Sequence, residues 1–220
     1  MDLDYFLNQR LNFVHFFYSN TAAAFEEIKR KIDVGELPYV DERAGEEYDE
    51  PAFLEEWLSA QASINVAGIT CLDVLQSTLH VFLDEYMREI GGEHLVPRMK
   101  EMDRKSWYRN YEAFFDEALG IKWANSGVDL DLIEQGILAR NDFTHNQDLL
   151  SVHSYQTEFH SKKHPNSVFI QRDWPALLQR KVLHVSAEDL TRAVEAIRQF
   201  AAYLERERRE LVARLRSQAK

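Results

Sequence analysis

Residues 51–90 read PAFLEEWLSAQASINVAGITCLDVLQSTLHVFLDEYMREI. Within this stretch Leu54, Trp57/Leu58, Gln61, Ile64, Gly68, Leu72, Leu75, Leu79, Leu83, Tyr86 and Ile90 recur at steps of three or four. That period places them on one stripe of a single helix. Pro51 suits the first helical residue and Gly91-Gly92 ends the run. At 1.5 Å per residue such a helix reaches on the order of 60 Å, so it is bent or outruns the bundle around it. It is expected to be a core element of an all-α bundle.

The flanking sequence supplies its partners. Upstream, 5–32 is periodic in Phe6, Phe13, Phe16, Phe17, Phe25, Ile28 and Ile32, which predicts a helix with those side chains inward. A solvated loop follows through Gly35, Pro38 and the acidic run 41–50. Downstream, helices are expected over about 106–119 and from Asp129 to about Asn146, joined by a loop containing Asn125-Ser126-Gly127. The region 149–185 is an irregular insertion: 152–159 and 168–170 are β-prone and suggest a small hairpin. Ser186 then caps a last helix, with Asp189 at the capping-box position. Its apolar residues Leu190, Val194, Ile197, Ala201, Leu204, Leu211 and Leu215 keep a heptad-like spacing. The expectation is one domain over 1–220, a helical bundle with long central and C-terminal helices.

Composition narrows the function. The 220 residues are 45% hydrophobic with 8 Gly and 5 Pro, enough to bury roughly 70% of the unfolded surface and too ordered in pattern for a disordered chain. A lone cysteine, Cys71, permits neither an internal disulfide nor a thiolate zinc cluster. The N-terminus lacks a basic signal region and no stretch approaches about 18 uninterrupted apolar residues, so a cytoplasmic location without a membrane partner is expected. The net charge is −11. It is uneven: 1–60 carries 5 basic and 14 acidic residues, 140–220 carries 14 and 10. A wide electrostatic footprint for nucleic acid is excluded, and a polyanion would have to be met by a local site in the C-terminal third.

Phosphate-binding loops, dinucleotide fingerprints, nucleophile elbows and H-E-x-x-H are all absent from the sequence. His153, His160 and His164, with Glu158, lack metal-ligand spacing and read as solvated surface residues, so no metal or other cofactor is expected. The informative run is Arg140-Asn141-Asp142-Phe143-Thr144-His145. Extending the apolar stripe Leu130, Ile133, Ile137 by threes and fours reaches Arg140/Asn141 and then Thr144/His145, so the inward face turns polar. Buried polar groups cost on the order of 1–3 kcal/mol each unless satisfied. Such a switch marks either a structural network or a site. Arg140 and His145 are five apart and diverge by about 140°, so they can share a groove only through the reach of the arginine.

These residues resemble the HEPN superfamily of helical nucleotide-binding domains, whose ribonuclease members carry an arginine, four to six residues and a histidine, with a polar residue after the arginine. Arg10 to His15 and Arg88 to His94 fit the bare spacing too. Only the Arg140 copy has an asparagine next, and only it lies on a penultimate helix between a long central and a long final one, as in the family. Family toxins neutralised by nucleotidyl transfer often carry tyrosine two positions after the histidine; here that position is Gln147, so the resemblance does not extend to that form of control.

The resemblance implies a metal-independent endoribonuclease, a toxin or defence effector in the cytoplasm, with Arg140, Asn141 and His145 catalytic. The ribose 2′-OH would attack the neighbouring phosphate, with His145 moving the proton, Arg140 gripping the phosphate and Asn141 orienting the phosphate or the histidine. One histidine cannot serve both proton steps, so the family's homodimer, with two motifs facing one cleft, is implied, with RNA and a protein antitoxin or inhibitor as partners. The alternative is a catalytically silent helical module that binds a nucleotide, RNA or protein.

Overall fold

The computed structural model describes residues 2–41, 50–91, 97–98, 106–145, 154–171 and 181–218, with the side chains of the last helix described to residue 211. Its helices are α1 Leu3–Val34, α2 Leu54–Gly91, α3 Trp107–Phe114, α4 Leu130–His145, α5 Glu158–Lys163 and α6 Ala187–Gln218. A π-helical turn, Phe115–Leu119, continues α3, and a 3₁₀ turn, Trp123–Ser126, precedes α4. The all-α class is therefore observed.

The ends of the helices follow local chemistry. The Asp2 carboxylate accepts from Tyr5 N at 3.0 Å and starts α1, while Gly35, in the left-handed conformation, stops it. At the start of α6, Ser186 Oγ accepts from Asp189 N at 3.1 Å and donates to Asp189 Oδ2 at 2.7 Å, so the anticipated cap forms.

α2 is the axis of the molecule and packs on α1, α4 and α6. Ile64, Ile69, Leu72, Leu75, Leu79, Leu83, Tyr86 and Met87 are all buried. Over one 18-residue window its mean hydropathy is 1.5, enough by length and composition to cross a membrane, yet 61% of that window is buried inside the fold. It thus contributes a core whatever else it contacts. Gly68 is where the chain after the insertion crosses it: a Cβ there would lie 2.7 Å from the Val185 Cβ. Tyr18 on α1 closes the same crossing by donating its hydroxyl to the Val185 carbonyl at 3.0 Å.

Two expectations need correction. On α1 the core face is Leu3, Leu7, Leu11, Val14, Tyr18 and Ala22, whereas Phe6, Phe13 and Phe16 are 53, 54 and 67% exposed. The helix carries several apolar stripes, and shape rather than size decided which one faces α2 and α6. The leucine and valine side chains there allow close approach, while Phe6, Phe13 and Phe16 are left outside and Phe17 and Phe25 pack at the margin of the core. Among its described residues the insertion forms no strand in place of the expected hairpin: it holds α5 between two isolated antiparallel bridges, Tyr155 with Val182 and Ile170 with Leu183. Segments 146–153 and 172–180, like most of the acidic loop at 42–49, lie outside the described residues.

At the far end of the bundle Tyr108, Phe115, Trp123 and Phe200 form an aromatic cluster, with the Trp123 and Phe200 rings 4.7 Å apart. This anchors α3 and the turns before α4 onto α6, and so fixes the direction in which α4 leaves.

Replacing Gly68 with alanine should lower stability to urea by about 1–3 kcal/mol, because backbone and Val185 must separate to admit the methyl; an unchanged midpoint would contradict the close crossing. Burial raises the pKa of the Cys71 thiol to about 12. The folded protein should therefore react with a thiol reagent only on the timescale of unfolding, measured by absorbance with and without denaturant.

Candidate functional site

α4 starts where the Asp129 carboxylate accepts from Leu132 N at 2.9 Å. Its first turns are buried through Leu132, Ile133, Glu134, Gly136, Ile137 and Ala139. Beyond Ala139 the surroundings open. Arg140 and Asn141 are half-buried, and Thr144 and His145 are exposed. The expected inward polar stripe does not continue to Thr144 and His145, because α4 runs past the edge of the core before it reaches them.

The polar residues that α4 does bury are Glu134 and Asp142, eight apart and about 80° round the helix. Both are satisfied by the 154–171 segment. Asp142 Oδ2 accepts from Thr157 N at 3.0 Å and Oδ1 from the Thr157 hydroxyl at 2.7 Å. Oδ2 also lies 2.8 Å from Nδ1 of His160, whose side chain is fully buried. The Thr157 hydroxyl in turn accepts from His160 N and caps α5. Glu134 receives Arg109 through Nε at 3.0 Å and Nη2 at 2.9 Å, and Lys163 at 2.6 Å, with His164 Nε2 3.3 Å away.

His160 and His164 are therefore not solvated histidines, contrary to the sequence-based expectation. They face carboxylates on α4 and pin the insertion to it. His153 lies outside the described residues, and Glu158 pairs with Lys162 on the surface. Among the described residues no group of three or more His, Cys, Asp or Glu could hold a metal ion.

The exposed half of the motif is built differently. The Arg140 Nε donates to Asp73 Oδ1 on α2 at 2.6 Å, and Nη1 donates to Asn141 Oδ1 at 3.1 Å. The pair is open to solvent, with the arginine side chain 30% and the aspartate 48% exposed. Thr144 spends its hydroxyl on the Arg140 carbonyl at 3.0 Å. His145 is the last residue of α4 and exposed. The structure thus joins Arg140 directly to Asn141, and puts His145 on the same open end with no bond to either. Guanidinium, amide and exposed imidazole form a set able to hold an anion and move a proton beside it.

Sequence reasoning missed Asp73, although a signal was there: it is the sole Asp, Glu, Lys or Arg between Glu56 and Asp84. It also missed Glu134, Asp142 and His160, whose partners arrive from segments remote in sequence.

Truncating Asp142 or His160 to alanine should cost about 2–4 kcal/mol by denaturant unfolding, since either change strands a buried polar partner. Burial would raise the Glu134 pKa, but the Lys163 and Arg109 hydrogen bonds outweigh it and hold the carboxyl below its usual range. A depressed carboxyl contributes stability above its unfolded pKa and loses it as pH falls through the folded value. Stability should therefore drop below about pH 4.3, the ordinary glutamate value, and Glu134→Gln should flatten that drop in pH-dependent melting. No family model, curated protein or solved structure matches the chain.

Proposed function

We propose that this protein is a HEPN-like, metal-independent endoribonuclease that acts as a homodimer in the cytoplasm, as a toxin or defence effector. The observation that carries the reading is the split within six residues of α4. Asp142 is committed to the interior, while Arg140, Asn141 and His145 stand at an open end. There the guanidinium is held by Asp73 and Asn141, and its Nη2 has no partner among the described residues. A purely structural arginine would be expected to spend its donors more fully inside the fold.

In the reaction the ribose 2′-OH attacks the adjacent phosphorus and forms a bond to it, and the bond to the 5′-oxygen of the next nucleotide breaks. The 2′-proton passes to one imidazole and the leaving oxygen takes a proton from a second. Histidine suits both tasks because it ordinarily titrates near pH 6.5. Arg140 supports the growing negative charge on the phosphate oxygens, and Asn141 keeps the guanidinium oriented. Because the nucleophile belongs to the substrate, DNA is not cut.

The second imidazole is that of a partner copy. A stripe suited to such a contact runs beside the site: Val66, Thr70, Asp73, Ser77 and Val81 on α2 follow one another by threes and fours. Val66 and Val81 are 43 and 48% exposed, and Phe6 lines a groove with Val81. The exposed Phe6 and Val81 in that groove offer an apolar contact for a second copy. The competing reading, a silent helical module, treats the Arg140–Asp73 pair as structural.

His145→Ala and Arg140→Ala should each reduce RNA cleavage in chelator by at least about 10²-fold while leaving the helical fold intact by circular dichroism; wild-type rates in His145→Ala would discard the enzyme reading. Phe6→Asp, at the exposed position that shares the groove with Val81, should give folded monomers in analytical ultracentrifugation with cleavage lost. Fully active monomers would remove the shared-cleft mechanism.

A further inference from the structure

Asp73 is an anomaly of α2. Between Glu56 and Asp84 it is the sole residue of that helix with a full charge, set in a run that otherwise builds the core. It lies on the open stripe of the helix with its side chain 48% exposed, so burial alone does not require a counter-charge for it. Its partner is the Arg140 guanidinium, which comes from α4, 67 residues away in sequence.

The geometry of the contact is informative. An arginine and a carboxylate bent only on stability form the two-bond fork, two parallel N–H···O contacts. Here the aspartate takes the Nε hydrogen alone, at 2.6 Å, and Asn141 takes one Nη1 hydrogen at 3.1 Å. Of the five guanidinium donors, three have no acceptor among the described residues: one on Nη1 and both on Nη2. The end edge of the guanidinium, one N–H of Nη1 and one of Nη2, is the fork that suits the oxygens of a phosphodiester, while the other Nη2 hydrogen lies on the Nε side beside Asp73. The carboxylate thus fixes the arginine's rotamer from the side and leaves open the edge that would meet substrate.

We propose that Asp73 is the positioning residue of the cleavage site, holding Arg140 through Nε so that its Nη1–Nη2 edge is presented to the scissile phosphate, an assignment that rests on the ribonuclease reading above. Pre-fixing the guanidinium removes the need to order a long flexible side chain in the transition state, which is where such positioning acts on rate. It also has an electrostatic consequence. A carboxylate beside the arginine weakens ground-state attraction for RNA, so its removal should leave KM unchanged or lower it, while kcat falls.

The test compares wild type with Asp73→Ala, Asp73→Asn and His145→Ala on a single-stranded RNA oligonucleotide in chelator, together with melting temperatures and the proton–nitrogen NMR resonance of Arg140 Nε. Asp73→Ala should lower kcat by about tenfold or more without raising KM. Its melting temperature should stay close to wild type, and the Nε resonance should lose its protection from exchange. Asp73→Asn keeps the accepting oxygen and should recover most of kcat.

Asp73→Ala that cleaves as fast as wild type or faster, with His145→Ala inactive, would overturn the assignment and make Asp73 a competitor of the phosphate. A loss of activity that follows melting temperature and is not recovered in Asp73→Asn would make it structural and overturn it equally. If His145→Ala matches wild type, or wild type leaves the RNA intact, the ribonuclease reading fails and the positioning role falls with it, even with Nε protected.

Discussion

One constraint organises this molecule: a 38-residue helix, α2, carries almost nothing but uncharged side chains through its middle and has to be covered. α1, α4 and α6 do the covering. The closeness they achieve depends on small residues where chains cross, as at Gly68 beneath Val185. At roughly 25 cal/mol per Å² of apolar surface removed from water, this burial is the dominant stabilising term. What the three helices leave open is a single stripe, from Val66 past Asp73 to Val81. The one charge in that stripe is the group that meets Arg140. Core and candidate site therefore share an element, and rigidity at the site follows from the packing behind it.

α4 divides its polar residues between two tasks. Glu134 and Asp142 look into the protein and are answered by Arg109, Lys163, Thr157 and His160. Removing either partner of such a contact leaves an uncompensated buried polar group, so the pairs are better viewed as specifying where the 154–171 segment lies than as a net source of stability. Arg140, Asn141 and His145 look outward on the same two turns. The inward set holds the helix still, and this is the condition under which an outward set can keep a fixed geometry.

Much of the fold was legible in the sequence because helix period and end signals are local. The end of α2 at Gly91, the cap at Ser186 and the start of α4 at Asp129 all follow from residues within a few positions of one another, whereas α2 starts at Leu54, three residues beyond the expected Pro51. The buried face of α1 was not. That helix has aliphatic and aromatic stripes side by side, and only the shape of α2 and α6 chose between them. The same limit applies to the site. The motif could be seen, but its split into inward Asp142 and outward Arg140 and His145 depends on where the core ends. Asp73 lies 67 residues from its partner. The histidines of the insertion looked like surface residues because the carboxylates they answer are on another element.

The most direct test of the central claim is the chemistry of the cut ends. Purified protein is incubated with structured and unstructured RNA in excess chelator, and the fragments are analysed by mass. Attack by the ribose 2′-OH at a site held by Arg140 and His145 predicts a 2′,3′-cyclic phosphate on one fragment and a 5′-hydroxyl on the other, with matching DNA left whole. Intact RNA, or fragments ending in 3′-hydroxyl and 5′-phosphate, would contradict it.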